Sequence, residues 1–494
     1  MTQEKKKEEA SNMSRLLGWL NELDHHPLEK VNETHEDERD SKTNVELEQL
    51  LNMVKIPIQI EKFMSFTLLA SLDCFLYYFT ILPIKIGINC FLYRDPTRRR
   101  SILRRTSKER AIIFLIITVT IVMSNLDTSK VYHKIKRQSA MKLYMLFNVL
   151  EIADKMLATI GQSLLSVLLS KRNYTRVRTK QLFLVFLTSL YLMAHTSVLI
   201  YQTVALNVAV NSYSNSLLTL LLSLQFAEIK SSVFKKFDKE SLFQITMADS
   251  TERFKLLILI VIIMIRNFGT TPIQWNSNVT KILDFKLFTT IISLPIFNIF
   301  MSEIIVDWIK HAYITKFNRI RPQIYDKFFY IMYRDYGTNQ QEYQERLGLP
   351  VLAYVTLSIV MLRTSLFHLF EPFQISNIAT SLILTVVWFI ILMFLRQMTH
   401  CTLLKWGTHI QTEWDTNRNT TVVTSKDYVP GLVVNGMGKM DNDTRTIIHR
   451  SKCDKKSSDP VPVDSTKKRD NLDLKQGDSL AKVTRYTMVS KAIW

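Results

Sequence analysis

Residues 287–325 read LFTTIISLPIFNIFMSEIIVDWIKHAYITKFNRIRPQIY, and this stretch decides the fold class. It begins as an apolar run and continues with a helical pattern. At 3.6 residues per turn, Glu303, Asp307 and His311 lie above one another on one helix face. Ionisable groups at the end of a membrane-length apolar run are costly to expose to lipid, so they normally face protein or water. The pattern predicts a membrane protein whose polar groups lie on helix faces turned toward each other or toward a partner.

The rest of the chain fits this class, because 47% of its 494 residues are apolar. Several windows approach or exceed the roughly 17–25 residues that cross a bilayer. The clear windows are 66–92, 182–206, 285–306, 349–370 and 377–395, and shorter apolar pieces lie at 111–123, 217–227 and 256–265. Only 11 glycines and 12 prolines occur, which favours long helices. Pro83 is expected to kink or break the first window.

These windows predict an all-α, multi-pass helical membrane protein with six to eight membrane-embedded segments. Polar composition predicts disordered tails at both ends. The predicted organisation is an acidic N-terminal tail at 1–60, a membrane domain at 61–406 and a C-terminal tail at 407–494.

The formal net charge of +19 supports this organisation by its location. Residues 1–60 carry eight basic and thirteen acidic side chains, whereas residues 401–494 carry sixteen and eleven. The net charges of the two ends cancel, so the excess of positive charge lies in the apolar middle of the chain. Basic cytosolic loops between membrane helices produce this distribution. These loops are 94–110, 171–180, 230–255, 310–346 and the chain after 396. Three predicted helical hairpins connect the last four loops, and nucleic-acid binding is not expected.

Motifs of soluble enzymes are missing from the sequence, which contains no GxxxxGK[ST], GxSxG, HExxH or GxGxxG. The four cysteines form no CxxC pair, so neither a disulfide framework nor a zinc site is indicated. We therefore expect a protein that is not an enzyme and that has no catalytic residues and no cofactor.

Charged residues on helix faces are the candidates for contacts between helices or with a partner. In residues 141–170, Glu151 and Lys155 form a favourable i,i+4 pair on a polar stripe, and the segment is interpreted as a packing helix with one hydrated face. The full candidate set is Asp73, Glu151, Asp154, Lys155, Glu228, Glu303, Asp307, Lys310 and His311.

A metal site at Glu303, Asp307 and His311 is disfavoured by geometry. The first and last of these residues are about 12 Å apart along the helix, too far to bind one ion together. An ion pair of Asp307 with Lys310 or His311 at the helix end is the favoured interpretation. A channel or transporter for ions or lipids is the alternative function, because ionisable groups within apolar runs could line a pathway. The scattered positions of these groups, without paired helix interruptions, argue against it.

Four blocks carry a resemblance to a known family. They are DCFLYYFTILP at 73–83, LDTSKVYHKIKRQSAMKLYMLFNVLEIADKMLATIGQSLL at 126–165, VALNVAVNSYSNSLLTLLLSLQFAEIKSSVFKKFDKESLFQITMADSTERF at 204–254 and SEIIVDWIKHAYITKFNRI at 302–320. The blocks are collinear and resemble the transmembrane anterior posterior transformation proteins, also described as cytomegalovirus gH-receptor-like, in their fungal type. The resemblance covers most of 61–400 and leaves both tails unmatched.

The resemblance implies a multi-pass protein of the endoplasmic reticulum membrane. It implies contact with membrane lipids and with a membrane partner that carries a SUN-like lumenal domain. Fungal relatives are linked to protein folding and quality control, and the family supplies no catalytic residues to carry over. The expected function is a non-enzymatic scaffold in that membrane.

Overall fold

The computed structural model of the chain describes most of the middle of the sequence. It describes residues 34–91, 107–169, 178–211, 223, 226–227, 229–233, 235, 237–270, 294–318, 320–370, 378–420 and 485. The chain divides into two units, residues 1–55 and 56–494, and the candidate functional site lies in the second.

Helices make up the described chain, and no strand occurs among these residues, so the predicted all-α class is confirmed. In chain order the helices are α1 Thr34–Phe79, α2 Ile81–Phe91, α3 Ser107–Met123, α4 Thr128–Lys136, α5 Ala140–Leu169, α6 Arg178–Asn211, α7 Lys239–Thr270, α8 Leu294–Phe317, α9 Ile324–Thr338, α10 Gln340–Leu347, α11 Val351–Phe370 and α12 Ile378–Thr420.

The break between α1 and α2 is caused by Pro83, and the predicted interruption is confirmed. A proline ring clashes with the carbonyl four residues earlier, which here belongs to Phe79, the last residue of α1. The chain turns at Thr80, and Pro83 then lies in the first turn of α2, where its missing N–H costs little.

Several helices are long and apolar enough to cross a membrane. Among the residues that the structure describes, four qualify singly: Gln49–Ile88, Met141–Leu169, Leu182–Val210 and Thr385–Thr412. Two bent pairs raise the number to six if each pair forms one span: Lys108–Met123 with Thr128–Lys136, and Gln340–Leu347 with Val351–Arg363. Six is also the lower end of the sequence prediction.

Helix α5 differs from its sequence interpretation, because its most exposed face is apolar rather than hydrated. That face consists of Met141, Met145, Val149, Ile152, Met156 and Ile160, each 50–64% exposed. Asp154, in contrast, is only 5% exposed and points into the protein. An apolar exterior with polar groups inside is the arrangement that lipid favours, since lipid cannot satisfy polar groups.

Helices α5 and α6 pack closely against each other at Gly161. A Cβ atom on Gly161 would lie 1.8 Å from the hydroxyl of Tyr191 on α6, so only glycine fits there.

Helix α10 ends at Gly348, whose left-handed φ of 66° starts the 91° bend into α11.

The predicted tail boundaries overlap helices at both ends of the membrane domain. Helix α1 begins at Thr34, inside the predicted tail 1–60, and α12 extends to Thr420, beyond the predicted boundary at 406. The remainder of both predicted tails lies outside the described residues, except for Arg485.

Candidate functional site

Five aspartates are buried in the part of the helical domain that the structure describes; one of them, Asp335, pairs with Arg346, and the other four belong to the groups below. Asp73 is fully buried, Asp249 and Asp307 are each 2% exposed, and Asp154 is 5% exposed. Removing an ionised carboxylate from water costs several kcal/mol unless a cation and hydrogen bonds replace the water. Each of these carboxylates is accordingly in contact with at least one lysine or arginine.

The first group, which we call the α7–α8 cluster, consists of Asp249, Arg253, Asp307, Lys310 and His311. Lys310 Nζ lies between two carboxylates, 2.8 Å from Asp249 Oδ1 and 3.2 Å from Asp307 Oδ1. Arg253 Nε donates to Asp307 Oδ2 at 2.7 Å. Because acids and bases alternate along the cluster, no buried charge faces only charges of its own sign.

Two further helices join the α7–α8 cluster through hydrogen bonds. From α1, Glu61 Oε2 accepts from Arg253 Nη1 and from Trp308 Nε1, both at 3.0 Å. From α9, the Tyr325 hydroxyl lies 2.8 Å from His311 Nδ1, and His311 Nε2 lies 2.8 Å from Asp249 Oδ2. An ionised Asp249 can only accept, so His311 Nε2 carries a hydrogen and donates it to the carboxylate. The hydrogen bond between His311 Nδ1 and the tyrosine hydroxyl holds the ring in this orientation.

The second group repeats the same order of side chains, and we call it the α5–α6 cluster. Tyr191 OH lies 2.8 Å from His195 Nδ1, and His195 Nε2 lies 2.8 Å from Asp154 Oδ1. The other oxygen of Asp154 accepts from Lys255 Nζ at 3.0 Å. Both clusters therefore contain a tyrosine–histidine–aspartate–lysine chain with matching atoms in contact.

Helix α7 takes part in both chains but with opposite charges. It contributes the aspartate, Asp249, to the α7–α8 cluster and the lysine, Lys255, to the α5–α6 cluster. Glu252, also on α7, forms a 3.1 Å ion pair with Lys155 of α5. Helix α7 is consequently held on one side by α5 and α6 and on the other by α8 and α9.

A third group surrounds Asp73 at the junction of α1, α9, α10 and α12. Tyr336 OH and Gln340 Nε2 donate to Asp73 Oδ2 at 2.9 and 2.6 Å. Arg396 Nε lies 3.3 Å from the other carboxylate oxygen, and His400 Nδ1 lies 2.9 Å from the Tyr336 hydroxyl. This group attaches the candidate span Thr385–Thr412 to the candidate span Gln49–Ile88.

The predicted candidate residues are thus distributed over three groups rather than one site. The predicted pair Glu151–Lys155 is present at 3.3 Å, and Asp307 pairs with Lys310. His311 contacts Asp249 of another helix instead of Asp307. Glu303 is partly buried, and Glu228 lies outside the described residues. Within the described ranges, no three His, Cys, Asp or Glu side chains are grouped closely enough to hold a metal ion.

Sequence reasoning missed Glu61, Asp249, Arg253 and Lys255. Residues 230–255 were assigned to a basic loop, although Asp249 and Arg253 have the i,i+4 spacing of one helix face. That spacing, together with Ser250 and Thr251 between the two residues, was the signal in the sequence for a buried polar helix face.

Acid is expected to remove the contribution of Asp249 to stability. Helix α7 is not among the candidate spans. Burial by itself raises the pKa of the Asp249 carboxyl, but Lys310 and His311 outweigh burial and hold this pKa below its ordinary value. A depressed pKa stabilises the fold at pH values above the unfolded pKa of about 3.9, and this stabilisation is lost as pH falls through the folded pKa. The thermal midpoints of the wild type and Asp249→Asn should therefore differ fully at pH 5–8, begin to converge below about pH 4 and meet only as pH falls through the lower, folded pKa of Asp249.

Loss of the Tyr325 hydroxyl should have a smaller effect. Tyr325→Phe leaves the buried His311 Nδ1 without its hydrogen-bond partner, which should cost about 1–2 kcal/mol. Tyr313→Phe is the matched control. Tyr313 lies on α8 and is 37% exposed, so removing its hydroxyl should leave no buried group without a partner. Thermal unfolding in detergent should separate the two variants, and equal midpoints would contradict a role for the hydrogen bond.

The fold and these clusters define the class of protein: a multi-pass α-helical membrane protein whose helices are joined by buried ion pairs. Residues 102–412 match the Eukaryotic membrane protein family, and the chain belongs to this family. No solved structure matches the chain significantly.

Similar proteins from other organisms support the assignment to this membrane protein family. The chain is 46% identical over 492 residues to Endoplasmic reticulum membrane protein 65 of Saccharomyces cerevisiae, covering 91% of this chain and 88% of that protein. It is 38% identical to the Schizosaccharomyces pombe protein of the same name over 64% of this chain and 52% of the relative. It is 36% identical to the human transmembrane anterior posterior transformation protein 1 homolog over 57% of this chain and 49% of the relative. The predicted family and the predicted location in the endoplasmic reticulum membrane are confirmed.

Proposed function

We propose that this chain is a non-enzymatic scaffold of the endoplasmic reticulum membrane that supports protein folding and quality control. The observation that carries the proposal is that the buried aspartates Asp73, Asp154, Asp249 and Asp307 each bind side chains of neighbouring helices. A charge engaged in this way fixes helix positions, whereas catalysis or transport needs groups that face a substrate.

The space beside these charges is consistent with a scaffold. The cavity next to Asp154 and Lys255 has a volume of about 20 Å³, enough for about one water molecule. A site for a drug-sized ligand needs roughly 300–1,000 Å³. The α5–α6 cluster is therefore better suited to holding helices together than to binding a solute.

The partner in this proposal is a membrane protein with a SUN-like lumenal domain, as the family resemblance implies. The exposed apolar faces of α5 and α12 support a role inside the membrane, where they contact lipid or another helix. The contribution of the chain to folding would then be to hold that lumenal domain at the membrane surface.

Crosslinking of the full chain in isolated endoplasmic reticulum membranes tests the proposal. A tagged chain should recover one membrane protein with a lumenal domain at near-equal amounts, and loss of the chain should increase the degradation of a misfolded lumenal reporter. Asp307→Asn, which weakens the α7–α8 cluster, should reduce recovery, whereas the exposed substitution Glu342→Gln should not. A clean monomer with unchanged reporter turnover would overturn the scaffold.

A channel or transporter for ions or lipids is the second candidate. It is favoured by ionisable groups within candidate spans, such as Asp154 in Met141–Leu169 and His195 in Leu182–Val210. Purified chain in liposomes discriminates the two functions. Flux that disappears with Glu303→Gln or Asp307→Asn would establish transport, and liposomes as tight as protein-free ones would support the scaffold.

A further inference from the structure

Helix α4 lies near the C-terminal end of α7. Phe254 of α7 packs against Tyr354 of α11, with ring centroids 5.9 Å apart. Further along both helices, Arg266 Nη1 donates to Met361 Sδ at 3.7 Å, so α7 and α11 run in parallel. Tyr132 of α4 is close enough to Arg266 to interact with its charge. Helix α4 is therefore beside the later part of α7, not beside its start.

The antiparallel pair of α5 and α6 places α4 at the same end of the domain. Gly161 of α5 faces Tyr191 of α6. The earlier residue Asp154 contacts the later residue His195, so the first turns of α5 lie beside the C-terminal part of α6. Helix α4 immediately precedes α5 in the chain, so it also lies where α6 ends.

The charge of this region is not explained by the rule that cytosolic loops are basic. Helices α6 and α7 begin in the basic loops 171–180 and 230–255, so α4 lies at the opposite end of the domain. Residues 126–142 nevertheless contain five lysines and arginines against one aspartate. The predicted hairpin turns opposite the basic loops contain a single charged residue in total; they are 207–216, 269–280 and 371–376. The excess of positive charge at α4 therefore needs another cause.

Helix α4 carries its apolar and its basic residues on different faces. Val131 and Ile135 pack against the hydrophobic core, and Ile135 is only 4% exposed. Lys130, Lys134 and Arg137 follow one another at i, i+4 and i+7 and are all exposed. One face of the helix is thus fixed to the protein, and the basic face points outward.

Most of the positive charge on this basic face is not neutralised by the protein. Lys130 Nζ lies 3.2 Å from Asp127 Oδ2, an exposed pair that contributes little. In the part of the chain that the structure describes, no carboxylate pairs with Lys134 or Arg137. A surface with several cations and one acid attracts an anionic partner.

Exposed apolar residues border α4 on both sides in the chain. Ile121 and Val122 near the end of α3 are 62% and 47% exposed, and Met141 and Met145 at the start of α5 are 64% and 62% exposed. The two pairs belong to candidate membrane segments, and α4 bends by 59° from α3. Apolar side chains directly beside a basic helix match the acyl chains and head groups of anionic lipids, whereas a soluble acidic protein would match only the basic part.

We propose that the basic face of α4, formed by Lys130, Lys134 and Arg137, binds the head groups of anionic phospholipids in the leaflet opposite the basic loops. The acyl chains of these lipids contact the exposed residues of α3 and α5. In this arrangement α4 lies along the membrane surface, and α3, with 17 residues, crosses the hydrocarbon region alone. The proposal does not depend on the scaffold function, because lipid binding at α4 neither requires nor excludes a protein partner.

Photo-labelling with defined lipids tests the proposal. The purified full chain is placed in phosphatidylcholine vesicles that contain a small fraction of photoactivatable phosphatidylserine or the same fraction of photoactivatable phosphatidylcholine. The ratio of labelling of 126–145 by the two lipids reports their relative affinity for this region. We expect phosphatidylserine to be favoured on the order of tenfold, and high salt to reduce the preference because it screens exposed charges.

Two double variants with the same loss of charge give the comparison. Lys134→Gln with Arg137→Gln should lower the labelling ratio toward one, because each removed cation weakens attraction to an anionic surface roughly fivefold. Lys62→Gln with Lys405→Gln, at exposed positions on α1 and α12, should leave the ratio unchanged. Equal thermal midpoints of both double variants and the wild type would show that the fold is retained, as expected for exposed side chains.

Equal labelling of 126–145 by the two lipids in wild-type vesicles would overturn the proposal. The same holds if both double variants keep the wild-type ratio. A carboxyl-to-amine crosslinker in isolated membranes addresses the competing occupant. If it joins 130–142 to an acidic protein while the lipid preference is absent, the basic face binds protein instead of lipid. Loss of the lipid preference would leave the scaffold proposal untouched, since that proposal is tested by partner recovery and reporter turnover.

Discussion

Asp249→Asn is expected to destabilise the membrane domain by about 3–5 kcal/mol, the cost of removing one partner from a buried charge network. In the native protein, Asp249 accepts from Lys310 Nζ and His311 Nε2, both at 2.8 Å. An asparagine amide has one acceptor oxygen, so its NH₂ group must face one of these two donors. Lys310 would also keep its charge while losing the closer of its two carboxylates.

Thermal unfolding of the purified chain in mild detergent measures this effect, with an expected fall of the midpoint on the order of 10 °C. Glu342→Gln makes the same chemical change at an exposed position and should leave the midpoint unchanged. Adding Lys310→Met to Asp249→Asn removes the stranded cation, so the double variant should be more stable than Asp249→Asn alone. An Asp249→Asn midpoint equal to that of the wild type would show that the α7–α8 cluster contributes no stability.

Gly161→Ala is expected to cost about 2–4 kcal/mol, from overpacking and from one lost hydrogen bond. The new Cβ would lie 1.8 Å from Tyr191 Oη and 2.1 Å from Tyr191 Cζ, distances at which atoms cannot coexist. The Tyr191 ring is buried, so it can give way only by separating α5 from α6 or by leaving His195. A one-carbon change should therefore disturb the α5–α6 cluster, as a lower thermal midpoint would show.

Gly87→Ala is the matched control, since nothing lies within 4 Å of a Cβ at Gly87. Because alanine is favoured over glycine inside a helix by roughly 0.5–1 kcal/mol, this control should be neutral or slightly stabilising. In a Tyr191→Ala background the penalty of Gly161→Ala should disappear, because the clashing ring is gone. A penalty that persists in that background would place its cause outside this contact.

Both predictions concern the attachment of α7 and its neighbours, which is the part of the molecule that sequence reasoning described least well. The interpretation of 287–325 correctly placed Asp307, Lys310 and His311 on a helix. That interpretation paired Asp307 with Lys310 or His311 of the same helix, because the i,i+3 and i,i+4 rules describe only neighbours on one helix. The contact of His311 with Asp249 joins residues 62 positions apart, and that of Arg253 with Glu61 joins residues 192 positions apart.

The orientation of α5 illustrates the same limit. Its periodicity correctly indicated a two-faced helix, but periodicity does not say which face meets solvent. The sequence interpretation of α5, a packing helix with one hydrated face, assumed that the polar side of the helix faces water. The packing of α5 against α6 and α7 instead places Asp154 inside and the stripe from Met141 to Ile160 outside.

The amino-acid sequence by itself determined that this protein is helical, that it belongs in a membrane, and that α1 is interrupted before Pro83. Those properties depend on apolar length, basic loops and backbone sterics, which act over a few neighbouring residues. Only the tertiary structure decided which charges neutralise one another, because a buried charge is satisfied by whichever opposite charge the packing brings within about 3 Å. Helix α7 therefore supplies charged residues to two of the three buried groups, although the sequence pattern assigned these residues to a loop.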